Sequence, residues 1–150
     1  MHFSSKNLLV TVILLSATMW LGTSNIVSLA QQPSRQDRLR AVDWFVINFV
    51  VPKQTCTLVG GEALDNFNKA LTAVRKEYLK AFELVESTKE YSATLVALRI
   101  ADADRFSGPN GQVQAFEECK QKTFQIASDL QLRRHDKAFE YLVGLFSSPT

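Results

Sequence analysis

Apolar residues recur along most of this chain at spacings of three and four, the period of a helix that buries one face. The first such stripe is Leu39, Val42, Phe45, Val46, Phe49 and Val50. Ser34 and Asp37, three residues apart, match the pattern that satisfies the free amides at a helix start. The spacing predicts a helix from Ser34 to about Val51, where Pro52 stops it. Trp44 and Ile47 lie off the stripe, so this helix is apolar nearly all round and is either central or covered by a partner. Residues 53–61, with Cys56 inside and Gly60-Gly61 at the end, read as a connector.

Leu64, Phe67, Leu71, Val74, Tyr78, Phe82 and Val85 keep a second stripe on one face, with charged residues mostly away from it. The pattern runs on through Tyr91, Leu95, Leu98 and Phe106. An unbroken helix of about 45 residues would be roughly 67 Å long, far more than a compact domain with a radius of gyration near 14 Å accommodates. Ser87 and Glu90 form a capping-box pattern, which places a break near Ser87-Thr88 and a third helix from there to about Phe106. Ser107-Gly108-Pro109-Asn110-Gly111 is a loop. A fourth helix carries Val113, Phe116, Cys119, Phe124, Ile126 and Leu130. The phase then changes near Arg133, and a last helix carries Phe139, Leu142, Val143 and Phe146. With no alternating strand pattern in competition, the expected fold is all-α, a small antiparallel bundle of four to five helices.

The first thirty residues follow a different rule. One basic residue, Lys6, precedes the apolar run at 8–15, and small residues Ser28 and Ala30 stand where a signal peptidase reads. This is the pattern of a cleaved secretory signal peptide over 1–30, leaving one helical domain over 31–150. A membrane anchor is the competing reading, because about fifteen apolar-leaning residues approach the roughly twenty that span a bilayer, but the small-residue cleavage site that follows directly favours removal. The expected location is therefore outside the cytoplasm, in a periplasm or extracellular space, with no stable membrane anchor.

Export changes the meaning of the two cysteines, because disulfides persist in such compartments. Cys56 and Cys119 allow only one intramolecular bridge, closing a loop of about 63 residues. The alternatives are two buried free thiols or redox and metal chemistry. Neither a Cys-x-x-Cys spacing nor a histidine adjacent in sequence supports the latter.

Charge narrows the partners. The formal net charge is +2 for the whole chain and +1 once Lys6 is removed. Acids and bases are interspersed, and the densest basic cluster, Arg133-Arg134-His135 with Lys137, is interrupted by Asp136 and reads as a solvated helix face. No nucleic-acid partner is implied.

Catalytic chemistry is thinly represented. His135 is the only histidine after the leader, which excludes metal sites that need two. Asp136 is adjacent, and neighbours on a helix diverge, so His135 reads as an exposed residue. Asp102 and Asp104 begin a calcium-loop pattern that fails at Phe106, Ser107 and Val113. Glu117-Glu118 diverge in the same way and do not make a hydrolase pair. No catalytic residue, metal or cofactor is expected, and the chain does not read as an enzyme. What remains is an exported protein acting by protein–protein contact, of the inhibitor, immunity, assembly-factor or chaperone type, with another protein or a second copy as partner. The candidate surface is Trp44, Ile47 and Val51. The alternative is a carrier of a small apolar ligand between the helices, since nine of the ten phenylalanines lie after residue 30.

Overall fold

Pro52 does not end the first helix. In a computed structural model, which describes residues 33–101 and 105–147, the chain is helical from Arg35 to Val59. Three segments make up this rod: α1 (Arg35–Phe45), a π-helical turn (Val46–Val50) and α2 (Val51–Val59). Ser34 caps the start as expected, its hydroxyl accepting from the Asp37 amide at 3.1 Å. A proline inside a regular helix removes one hydrogen bond and crowds the carbonyl four residues back. Here the Val51 amide reaches five residues back to the Val46 carbonyl. The turn immediately before Pro52 is therefore wider, and the ring fits. The Asn48 side-chain amide donates to the Trp44 carbonyl at 2.8 Å within the same turn. Cys56 thus lies on a helix, and the predicted connector shrinks to Gly60, whose φ of 71° turns the chain sharply.

The second stripe is likewise broken where the pattern gave no warning. α3 (Gly61–Glu77) and α4 (Leu79–Glu86) meet at Tyr78, which leaves the helical region with φ −115° and ψ 34°. The break before α5 (Lys89–Ala101) falls at Ser87-Thr88 as expected, but the cap differs. Thr88, not Ser87, accepts the Tyr91 amide at 3.1 Å, while Ser87 donates to the Leu84 carbonyl. Glu90 instead takes the Arg38 guanidinium at 3.0 Å, tying α5 to α1. α5 ends at Ala101, so Phe106 stands in the following turn rather than on the helix. α6 (Gly111–Gln131) and α7 (Asp136–Ser147) complete the chain. No strand occurs among the described residues, and none of their helices is long and apolar enough to cross a membrane. The signal-peptide reading over 1–30 and the pair Asp102 and Asp104 lie outside the described residues.

Two packing zones result. At one, α2, α3 and α6 pack together, with Phe67, Val74, Cys56 and Cys119 buried. At the other, α1, α4 and α7 converge with α5 alongside α1, and the core is aromatic. Phe45 and Phe82 meet edge-on at 4.8 Å, and Phe49 and Phe139 approach at 5.6 Å. Trp44 sets its edge against Phe49, Phe139 and His135. Such ring pairs add about 0.5–1.5 kcal/mol each beyond burial alone.

Candidate interaction surface

The disulfide pair determines which side of α6 faces inward. Cys56 and Cys119 lie at bonding distance, sulfurs 2.01 Å apart and α carbons 5.0 Å apart. So short a separation brings α2 and α6 close together at that level. Ala115 and Cys119 occupy that position, followed by Ile126 and the buried Asp129. Val113, Phe116 and Phe124 lie on the other side of α6 and are turned outward.

This overturns the expected core stripe of the fourth helix. Cys119 and Ile126 are buried and Leu130 is half-buried, but Val113 is 66% exposed, Phe116 44% and Phe124 76%. Neither Phe116 nor Phe124 joins the ring cluster of the core. Leu58, at the end of α2, is 59% exposed and shares a groove of about 440 Å³ with Val113 and Phe116. A second groove, about 470 Å³, lies between α3 and α6. Small residues, Ala63, Thr123 and Ala127, line part of it. Phe116 and Phe124 wall it, and Glu62, Asn66 and Lys120 form its polar margin. Phe116 belongs to both grooves, so the apolar surface is continuous from α2 along α6. At typical side-chain areas it amounts to roughly 400 Å² of exposed apolar atoms, within the range of patches that mark binding sites.

The residues singled out from sequence are placed differently from one another. Trp44 is half-buried against Phe49, Phe139 and His135. Val51 is half-buried against the core, and Ile47 is 60% exposed. Of the three, only Ile47 turns most of its side chain to solvent. Beside Trp44, a groove of about 340 Å³ opens between α1 and α7, lined by Arg40, Ala41, Tyr141 and Leu142.

His135 is not an exposed residue on a solvated face. It stands in the turn between α6 and α7, enclosed by Trp44, Phe49 and Phe139. Its charge partner is Asp129 at 3.4 Å, six residues back, rather than its neighbour Asp136. Burial pushes the imidazole pKa below its ordinary value of 6.5, and the Asp129 carboxylate only partly opposes this. Arg134 also reaches Asp129, at 3.3 Å, so the buried carboxylate is satisfied by the turn that follows it. Sequence reasoning missed Asp129. A carboxylate at an inward position of α6, followed by Arg134 and His135, was the available signal.

Arg133 adopts a left-handed φ of 52° and spans two carboxylates, Asp136 at 2.7 Å and Glu77 at 3.3 Å. Among the described residues, no group of three or more His, Cys, Asp or Glu side chains is placed to hold a metal ion. A further cavity of about 250 Å³ lies beside the π turn, lined by Phe45, Phe49, Phe82, Tyr91, Arg75 and Glu86 among others. The buried side-chain oxygen of Gln54, another lining residue, accepts no hydrogen bond from the described residues. No protein-family model matches the chain, and neither a curated protein nor a solved structure matches it.

Proposed function

We propose that this is an exported helical protein that acts by binding a protein partner through the face of α6 and the end of α2. The observation that carries this reading is the exposure of Phe124, Phe116, Val113 and Leu58 on one continuous surface. Removing those side chains from water is worth about 25 cal/mol per Å², and exposed aromatics of this kind act as interface anchors. The groove between α3 and α6 suits an amphipathic helix. Phe116 and Phe124 stand eight residues, about 12 Å, apart on one helix, with Lys120 and Thr123 between them along the groove. Such spacing accepts side chains three, four and seven residues apart on an incoming helix. Export rests on the leader pattern of residues 1–30 and agrees with the disulfide-distance pair.

The test is a photoreactive benzoyl-phenylalanine at position 124, compared with the same group at the exposed Lys76, in living cells. Adducts formed from position 124 and absent from position 76 are expected. No adduct from position 124 sinks the reading. A ligand carrier is the second reading, favoured by the aromatic cavity beside the π turn. At about 250 Å³, that cavity is smaller than the roughly 300–1,000 Å³ typical of ligand sites, which ranks it second.

A further inference from the structure

The apolar face of α6 is symmetric about one residue. Phe116 and Phe124 stand four positions before and four positions after Lys120, and Val113 and Ala127 continue the row seven positions to either side. The groove margin carries one charge of each sign, Glu62 on α3 and Lys120 on α6. These two lie at the same level of the bundle, because the Cys119 sulfur is 3.7 Å from the Ala63 carbonyl oxygen. Lys120 takes part in none of the ion pairs among the described residues, and neither does Glu62.

A two-fold interface requires a patch complementary to itself, in which residue i meets j and j meets i. The spacing of this row about Lys120 allows such pairing. We propose that the partner on this face is a second copy of the chain, the two α6 helices packing antiparallel about an axis at Lys120. The inference rests on the reading that this face is an interaction surface. In that arrangement Phe116 meets the partner's Phe124, and Val113 meets the partner's Ala127. Each α6 settles into the other copy's groove between α3 and α6. Lys120 then extends past the axis to the partner's Glu62, which separates the two lysines and leaves their aliphatic stems over the phenylalanines.

The area is sufficient for a reversible dimer. α6 has 21 residues, about 31 Å. With α3 beside it at a typical interaxial distance, the face is about 20 Å wide, or roughly 600 Å² per copy. The total of about 1,200 Å² sits at the lower edge of stable interfaces, the size class of reversible association.

Sedimentation equilibrium on the purified, non-reduced protein tests the proposal. The wild type is expected to dimerise at tens of micromolar, and Phe124→Asp is expected to be a folded monomer. Lys120→Glu and Glu62→Lys should each raise the dissociation constant about tenfold, equivalent to about 1.4 kcal/mol. The double variant, which restores both pairs with reversed sign, should return to within about threefold of wild type, in the manner of a double-mutant cycle. A wild type that stays monomeric at about 500 μM, well above any micromolar dissociation constant, overturns the dimer. So does a double variant no better than the single ones. Position-124 adducts to a different protein, from a monomeric wild type, overturn the second copy and leave the interaction surface standing. No adduct at all removes both.

Discussion

The Tyr78 hydroxyl donates a hydrogen bond to the Asp136 carboxylate, joining two helix breaks 58 residues apart. Tyr78 is where α3 gives way to α4, and Asp136 opens α7. The Tyr78 ring also stacks on Phe139 at 4.0 Å, one turn into α7. The kink in the second rod and the turn before the last helix therefore hold each other in place.

Loss of that hydroxyl has a measurable pH signature. Burial first, then the Asp136 carboxylate, raises the Tyr78 pKa from 10.0 to about 12. Because the folded pKa is the higher one, the contribution is complete below pH 10 and is lost as pH rises from 10 towards 12. Tyr78→Phe keeps the stack and should lower the thermal midpoint at pH 7 by a few degrees, as expected for one charge-assisted hydrogen bond. Stability between pH 10 and 12 should then fall less steeply in the variant than in the wild type.

Mild acid should weaken the fold through His135. Its folded pKa lies below 6.5, so the unfolded chain takes up the proton first. The contribution is present above pH 6.5 and is lost as pH falls below it. Urea midpoints measured from pH 7.5 down to 5 should decline in the wild type. In His135→Phe the decline over this window should be shallower, and an unchanged slope would show that His135 does not carry it.

Reduction of the Cys56–Cys119 bridge should cost up to about 4 kcal/mol in the chain-entropy description, given a sequence separation of 63. Urea unfolding with and without reductant measures this. Cys56→Ala/Cys119→Ala should match the reduced protein.

Gly111 should not tolerate a side chain. A Cβ there would overlap the Phe106 carbonyl oxygen, which is backbone and has little room to yield. Gly111→Ala is expected to destabilise by about 1–3 kcal/mol, as overpacked sites do. Gly144→Ala, inside α7 with open space at its Cβ, serves as the control and should be stabilised by up to about 1 kcal/mol.

Trp44 and Ile47 should separate when each is changed to Asp. Trp44→Asp removes three aromatic contacts and should destabilise by about 2 kcal/mol or more. Ile47, already 60% exposed, should tolerate the change with its thermal midpoint nearly unmoved. A well-folded Trp44→Asp would mean that the ring does not bear on the core.

Local and periodic information was legible in the chain. Ser34 and Asp37 cap a helix as their spacing indicates, the apolar stripes produce helices, and the single cysteine pair lies at disulfide distance. Helical periodicity depends on neighbours within a turn, so it survives without knowledge of the rest of the molecule. Rotation of each helix does not. Val113, Phe116 and Phe124 have the spacing of a core stripe, yet contact with α2 at the cysteines turns Ala115, Cys119 and Ile126 inward and the phenylalanines out. Pro52 is a helix stop by local rules, but a π turn before it lets the rod run on to Val59 and carries Cys56 on a helix. Tyr78 carries no breaking signal of its own. Its departure from the helix coincides with contacts to Asp136 and Phe139, some sixty residues away. His135 reads as an exposed residue, and Asp129 goes unnoticed, because burial of a polar side chain is decided by what packs around it. In this protein that is Trp44, Phe49 and Phe139, which only the assembled bundle brings to the α6–α7 turn.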